Sequence, residues 1–177
     1  MTAANFAVML ASAGYKVLMI DANLRHPVLH QIFEVDETMG GLVRLLEASP
    51  DDLKSLSDEA LTAFFGTYLQ ESNIANVYVL PRGKVEDEQK IAALLLRLPQ
   101  LQGWLGPLHE CCGIDTFVFD TAAYTTSAEA LLLADALKGD MVLVMETRGI
   151  SRQQAQEIVD QLHQTQSRLV GAVLNKQ

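Results

Sequence analysis

Two aspartates each follow a short apolar run of the kind that forms a buried β-strand. Asp21 follows Lys-Val-Leu-Met-Ile, and Asp120 follows Thr-Phe-Val-Phe. Carboxylates at the carboxyl ends of buried strands lie in the crevice where α/β sheets bind ligands. There they can hold Mg²⁺ through water, and a carboxylate can also orient or deprotonate an attacking hydroxyl. Asp21 and Asp120 are therefore the candidate catalytic and metal-binding residues; the alternative for Asp21 is that it only caps the following turn.

The elements that must position these carboxylates are short strands alternating with helices. Most of the strand-like runs are continuously apolar, which is typical of parallel strands buried on both faces. The predicted strands are Val17–Ile20, Val77–Leu80, Phe117–Phe119, Met141–Met145 and Leu169–Leu174. The predicted helices are Ala3–Ala13, Gly41–Ala48, Asp52–Leu69, Asp87–Leu98, Leu101–Cys112, Ser127–Leu137 and Ser151–Gln166. This alternation predicts an α/β fold with a doubly wound, mainly parallel sheet, formed by one domain over residues 1–177.

Composition and charge exclude several classes of function. The 177 residues carry a formal net charge of −9, and the lysines and arginines are scattered, so binding to nucleic acid through the overall field is excluded. The chain has no apolar run of about 18 residues and no signal-peptide pattern. Cys111 and Cys112 are adjacent, which favours two free thiols in a reducing compartment. A cytoplasmic location is therefore expected.

Four segments, in order along nearly the whole chain, resemble one known family. Asp-Ala-Asn-Leu-Arg-His-Pro at 21–27 resembles the Walker A′ segment of the bacterial tyrosine kinases, the capsule and exopolysaccharide kinases of the deviant-Walker P-loop superfamily. Met39–Leu46 resembles the family's next segment, in which a glycine and a leucine open a helix. Asp115–Ala123 resembles its Walker B segment, and Val170–Asn175 resembles its final strand.

The resemblance implies a P-loop fold that binds ATP and Mg²⁺ and phosphorylates tyrosine. By carry-over, Asp21 would orient or deprotonate the acceptor tyrosine and support Mg²⁺, and Asp120 would hold Mg²⁺ through water. Asn23 and Thr121 would lie beside the cofactor, and Asn175 would contact the adenine. The implied function is that of a cytoplasmic tyrosine autokinase domain that regulates polysaccharide polymerisation and export.

The resemblance also implies partners and a place in the cell. Such domains act at the inner face of the bacterial plasma membrane, with a membrane chain-length (co-polymerase) protein or a transmembrane region of their own. They are expected to assemble as homo-oligomers. No nucleic acid partner is implied.

The chain departs from the family pattern at several positions. No Gly-x-x-x-x-Gly-Lys-Ser/Thr loop is present, so we expect a fragment that lacks the first, central strand with its phosphate loop and that is inactive alone. Loss of that strand should leave unpaired strand edges. Asn23 replaces the family's second aspartate, and Ala122-Ala123 replaces two prolines. No tyrosine-rich segment follows the last strand, and Tyr124 is the one candidate for an exposed tyrosine.

Two other interpretations remain open at the level of sequence. The first is a non-catalytic subunit that binds an active kinase or a chain-length protein, which Asn23 and the absent lysine loop favour. The second is a partitioning ATPase of the cell-division and plasmid-segregation type. The Leu-Arg-His-Pro segment and the Leu42–Leu46 helix favour the kinase branch over the partitioning branch.

Overall fold

Each of the five predicted strands is present in the structure, and each is correct to within one residue at either end. The computed structural model describes residues 1–53, 55–85, 87–123, 129–146 and 151–175. The strands are β1 Val17–Asp21, β2 Gln70–Glu71, β3 Val77–Leu80, β4 Thr116–Asp120, β5 Asp140–Glu146 and β6 Arg168–Asn175. The α-helices are α1 Thr2–Ser12, α2 Leu29–Ile32, α3 Leu42–Glu47, α4 Asp58–Gly66, α5 Glu88–Leu95, α6 Gln102–Cys112, α7 Glu129–Leu137 and α8 Arg152–Leu162.

The strands form two sheets, one in each of two compact units of the chain. The first unit, Met1–Ala122, holds four strands in the order β2-β3-β1-β4. Within it β3, β1 and β4 run parallel, and the two-residue β2 pairs antiparallel with β3. The second unit, Ala123–Gln177, holds the parallel pair β5 and β6. The predicted mainly parallel α/β fold is confirmed, whereas the assignment of all residues to a single domain stays a prediction.

The central strand β1 is buried on both faces, as its continuous apolar run predicts. Val17 and Met19 belong to the cluster that packs against the small residues of α1, which are Ala4, Ala7 and Ala11. Leu18 and Ile20 alternate with them onto the opposite face and are equally buried. The sheet of the first unit is therefore covered on both faces at its centre.

Small residues explain why α1 can lie so close to the sheet. Alanine at every third or fourth position leaves no bulk between the helix backbone and the strands below it. The other side of α1 carries Phe6 and Met9, which are exposed. Gly14, between α1 and β1, has a φ of +97°, a conformation that glycine adopts without a steric penalty.

The outer edge of β4 has no pairing partner among the residues that the structure describes. β4 pairs with β1 along its other edge, from Thr116 to Asp120. Apart from the buried Val118, its residues are only partly buried. The expected loss of a first, central strand stays a prediction.

The predicted helix over Asp52–Leu69 is wrong at its start. Residues Pro50–Leu53 form a short 3₁₀ helix, and the α-helix begins only at Asp58. Ser57 is the true cap, since its hydroxyl accepts a hydrogen bond from the Ala60 N–H at 3.4 Å. The Ser-Pro-Asp-Asp segment is therefore a helical turn of its own, and a second capping serine begins the α-helix eight residues later in the chain.

Aromatic packing joins α4 to α6. The ring of Trp104 stacks on that of Phe64 at a centroid distance of 6.0 Å and meets the edge of Phe65 at the same distance. Trp104 and Phe65 are fully buried. The only tryptophan of the chain therefore reports on the core of the first unit.

In the second unit, α8 begins with a capping box. The Ser151 hydroxyl accepts from the Gln154 N–H at 3.2 Å, and the Gln154 side chain accepts from the Ser151 N–H at 2.9 Å. The predicted start of the preceding helix at Ser127 lies outside the described residues. Among the described residues, no helix has both the length and the apolar character needed to cross a membrane.

Candidate magnesium and nucleotide site

Asp21 and Asp120 lie side by side at the carboxyl ends of β1 and β4. They are direct partners in the parallel register of the two strands. The Ala22 N–H also donates to the Asp120 carbonyl oxygen at 2.9 Å, which holds the two strand ends together. The two carboxylates that the sequence singles out are therefore neighbours, as expected for strand ends at one edge of a parallel sheet.

The Asp21 carboxylate is buried and only half satisfied. Its Oδ2 accepts hydrogen bonds from the N–H groups of Val28 and Leu29, each at 3.0 Å. Its Oδ1 is buried and has no hydrogen-bond partner. Asp21 does stabilise the following loop, as the alternative interpretation proposed, but this leaves one carboxylate oxygen available for a ligand. A buried unpartnered oxygen costs free energy unless a proton, water or cation satisfies it.

Both carboxyl groups hold their protons more tightly than an exposed aspartate. Burial is the main cause that raises the pKa of Asp21 to about 6, with the negative charge of Asp120 adding to it and the Leu29 and Val28 N–H groups opposing it. Burial also raises the pKa of Asp120, against the positive charge of the Met1 amino group. Two adjacent carboxylates, one buried and one partly buried, repel each other when both are ionised. A divalent cation relieves that repulsion.

These residues fit Mg²⁺. It is a hard cation that proteins hold through one or two carboxylates, water and substrate phosphate oxygens rather than through a full cage of side chains. The unpartnered Oδ1 of Asp21 beside Asp120 offers such a pair. Within the described ranges, no cluster of three or more histidine, cysteine, aspartate or glutamate side chains could hold a metal ion. The pair of carboxylates suits Mg²⁺ completed by water and phosphate oxygens.

The amino-terminal end of α1 lies close enough to Asp120 for the Met1 amino group to lower its pKa. No side chain caps this 11-residue helix. The first N–H groups of an uncapped helix and the positive end of its dipole attract anions such as phosphate. The carboxylates therefore have a phosphate-attracting helix end beside them.

Asn23 and Thr121 lie in the loops that follow the two aspartates. The Asn23 side-chain oxygen accepts from the His26 N–H at 3.1 Å, so it shapes the loop after β1. Thr121 directly follows Asp120 at the end of β4. Both residues are therefore sequence neighbours of the two aspartates. Their role in cofactor binding stays a prediction.

Asn175 belongs to the second unit. It ends β6, where it is the partner of Glu146 at the end of β5. The position at a strand end agrees with the sequence-based interpretation. Its proposed contact with adenine stays a prediction, and Tyr124 lies outside the described residues.

Sequence reasoning missed Arg82, a cation that contacts the loop after β1. Its guanidinium donates to the Leu24 carbonyl oxygen at 3.1 Å and to Glu37 Oε1 at 2.7 Å. Arg82 is 58 positions from Leu24 in the chain, and it belongs to no motif that could have drawn attention to it.

Comparison of the sequence with known proteins identifies several relatives. No family model matches the chain. The tyrosine-protein kinase YwqD of Bacillus subtilis (strain 168) is 32% identical over 176 residues, which cover 98% of this chain and 65% of that protein. The tyrosine-protein kinase CpsD of Streptococcus agalactiae is 27% identical over 175 residues, covering 99% and 68% of the two proteins. The chain is thus similar over nearly its whole length to bacterial tyrosine kinases. It spans about two thirds of the length of these tyrosine kinases.

Similarity to solved structures confirms the predicted fold. The kinase domain of VpsO superposes with a TM-score of 0.76 at 22% identity, over 99% of this chain and 76% of that one. The cell-division ATPase MinD of Pyrococcus furiosus gives a TM-score of 0.72 at 23% identity, over 98% and 64%. Similarity at this level of identity shows the P-loop NTPase type of α/β fold, which the kinases and MinD share.

Proposed function

We propose that the chain is the magnesium-nucleotide domain of a tyrosine autokinase that regulates capsule or exopolysaccharide polymerisation and export. The observation that carries the proposal is the adjacent pair of carboxylates at the ends of two parallel strands, the buried Asp21 and the partly buried Asp120. The relationship to proteins named as tyrosine kinases supports it. The proposed setting is the cytoplasm, at the inner face of the plasma membrane, in a homo-oligomer with a membrane chain-length protein.

The two carboxylates have different roles in this proposal. Asp120 holds Mg²⁺ through water, and the bound Mg²⁺ neutralises charge on the nucleotide phosphates. Asp21 uses its free oxygen to orient the acceptor tyrosine hydroxyl and to support the same cation. A carboxylate whose pKa is about 6 accepts a proton near neutral pH more readily than an ordinary aspartate.

The proposal assigns the magnesium carboxylates to residues of this chain. It does not assign the main phosphate contacts to any of them. The 177 residues contain no Gly-x-x-x-x-Gly-Lys-Ser/Thr pattern, and in P-loop proteins that loop supplies most of the phosphate contacts. We therefore expect the chain alone to bind magnesium-nucleotide weakly and to transfer no phosphoryl group.

A second candidate is a non-catalytic subunit that binds an active kinase or a chain-length protein. Asn23 favours it, because an amide brings no charge to the site and its oxygen is already engaged by the His26 N–H. A partitioning ATPase is a third candidate, since MinD shares the fold.

The first test is a titration of the chain with a fluorescent ATP analogue and Mg²⁺. Asp120→Ala removes a proposed magnesium ligand, and Asp135→Ala removes an exposed aspartate of α7 as the matched control. The proposal predicts saturable, magnesium-dependent binding that Asp120→Ala abolishes and Asp135→Ala keeps. Absence of binding at millimolar nucleotide, or equal loss in both variants, would remove the nucleotide role from these residues.

A second test separates the candidates. The chain is mixed with a purified active kinase of the family and labelled ATP, and label on tyrosine, complex formation and hydrolysis are measured. Label on tyrosines of this chain, with its own carboxylates dispensable, supports a substrate or partner subunit. Restored transfer that requires Asp120 supports the kinase role. DNA-stimulated hydrolysis without tyrosine label supports a partitioning ATPase.

A further inference from the structure

Arg82 is placed to control the shape of the loop that carries the acidic site, although it belongs to a different segment of the chain. It follows β3 and the buried Pro81, and its side chain is only 15% exposed. The backbone at Arg82 is hydrogen-bonded to the start of α3. The Leu42 N–H donates to the Pro81 carbonyl oxygen at 2.8 Å, and the Val43 N–H donates to the Arg82 carbonyl oxygen at 2.9 Å. The base of the Arg82 side chain is therefore fixed.

The guanidinium group of Arg82 connects three separate segments. One terminal nitrogen donates to the Leu24 carbonyl oxygen at 3.1 Å, and the other to Glu37 Oε1 at 2.7 Å. Its Nε donates to the Gly83 carbonyl oxygen at 2.9 Å. Glu37 Oε2 in turn lies 3.7 Å from His30 Nε2. Only a planar, multiply donating side chain satisfies three acceptors in fixed directions.

The loop between β1 and α2 is held at two places. Arg82 fixes it at Leu24, and Asp21 Oδ2 fixes it at the Val28 and Leu29 N–H groups. Asn23 directly precedes the first of these points. If the contact at Leu24 is lost, the part of the loop between the Ala22 N–H, which donates to the Asp120 carbonyl oxygen, and Val28 loses its link to Arg82, and the free oxygen of Asp21 is less firmly directed.

We propose that Arg82 is a positioning residue for the magnesium carboxylates and acts through the loop from Ala22 to Val28. The inference rests on the proposed function, because it assigns Mg²⁺ to Asp21 and Asp120. Residues that orient metal ligands from outside the ligand set typically change metal affinity about 10- to 100-fold when they are removed.

The test compares Arg82→Met with Arg44→Met, using Mn²⁺ alone as the probe. Methionine keeps the aliphatic bulk and removes the guanidinium, and Arg44 is an exposed arginine whose partner is Glu47. Mn²⁺ affinity is read from paramagnetic broadening of backbone signals near Asp120. The expected result is about 10-fold weaker binding in Arg82→Met, no change in Arg44→Met, and partial recovery in Arg82→Lys. Affinity within twofold of the parent in a folded Arg82→Met protein would overturn the proposal.

A second measurement needs no metal and separates this inference from the proposed function. Amide hydrogen exchange at Val28 and Leu29 should become about 10-fold faster in Arg82→Met, while exchange at Val118 in β4 stays unchanged. Equal acceleration at all three amides would show a general loss of stability and would contradict the positioning role. If Arg82→Met does not fold, Glu37→Gln, which removes one charged acceptor, replaces it in both measurements. Failure of Mn²⁺ binding in the parent chain, together with the local exchange effect, would reject the magnesium site and keep the role of Arg82 in the loop.

Discussion

Asp21 and Asp120 are register partners on adjacent parallel strands, and one oxygen of Asp21 is buried without a hydrogen-bond partner. The other oxygen already accepts two backbone N–H groups. The carboxylate is thus rigidly oriented but incompletely satisfied. That combination is costly in an empty protein and useful in one that binds a cation.

Protonation of Asp21 should make stability depend on pH. Its folded-state pKa of about 6 lies above the ordinary value of 3.8, so its protonation stabilises the fold fully below pH 3.8, and this stability is lost as the pH rises through 6. The loss is on the order of 3 kcal/mol. Asp21→Asn should remove this decline, as measured by urea unfolding at pH 4 to 7 with Trp104 fluorescence. Asp135→Asn should keep it, and an unchanged slope in Asp21→Asn would show that Asp21 ionises normally.

Magnesium should stabilise the first unit more at pH 7 than at pH 5. Protons and Mg²⁺ compete for the same two carboxylates, so binding strengthens as Asp21 ionises through about pH 6. Stabilisation at a free Mg²⁺ concentration ten times the Kd is about 1.4 kcal/mol. Thermal melting with and without Mg²⁺ measures it, and Asp120→Asn should abolish the gain. A gain of equal size at both pH values would place the cation elsewhere.

Enlarging Ala7 should separate α1 from the sheet. Ala7 is fully buried at the contact with β1, β3 and β4. Ala7→Leu should therefore lower the free energy of unfolding by about 1–3 kcal/mol, which denaturant unfolding measures. Asn5→Leu on the exposed side of the same helix makes the matched control, with an expected change within about 0.5 kcal/mol. If the two variants are equally stable, α1 does not pack on the sheet through this face.

A side chain at Gly41 should disrupt the junction of α3 with β3. Gly41 has a φ of +148°, and an added Cβ would lie 2.5 Å from the Pro81 carbonyl oxygen and 2.7 Å from the Gly83 nitrogen. Gly41→Ala should therefore cost about 2 kcal/mol or more. Gly66→Ala, where an added Cβ meets no atom within 4 Å, should be neutral or stabilise by about 0.5 kcal/mol. Comparing the two melting temperatures tests the contrast, and similar shifts would contradict the close approach.

Local patterns predicted the strands well because each is a short apolar run with a polar residue or a proline at either end. The same reasoning misplaced the start of α4, because Ser49 and Ser57 are both plausible caps and only packing decides between them. The two-residue β2 is too short to leave a periodic pattern. An element can be predicted from sequence alone only where it is long enough to show a periodic pattern of apolar residues.

The candidate site could be predicted in part. Asp21 and Asp120 end apolar strands, so their neighbourhood follows from the rule for parallel sheets. The half-satisfied state of Asp21 could not be foreseen, because it depends on how residues 22–29 turn back on the strand. Arg82 could not be found either, since its contacts join positions 45 and 58 residues apart. The predicted role of Asn175 rests on the family resemblance alone.

The open edge of β4 makes concentration a variable in the folding of this chain. The strand includes Phe117, Val118 and Phe119, and an unpaired edge on such a strand recruits strands from other molecules. Within the described residues nothing pairs with it. When two chains meet during refolding, pairing between them therefore competes with the correct folding of each chain. The yield of folded protein should fall as the protein concentration in the refolding mixture rises. A peptide that pairs with the edge of β4 would act on this protein as a chaperone does.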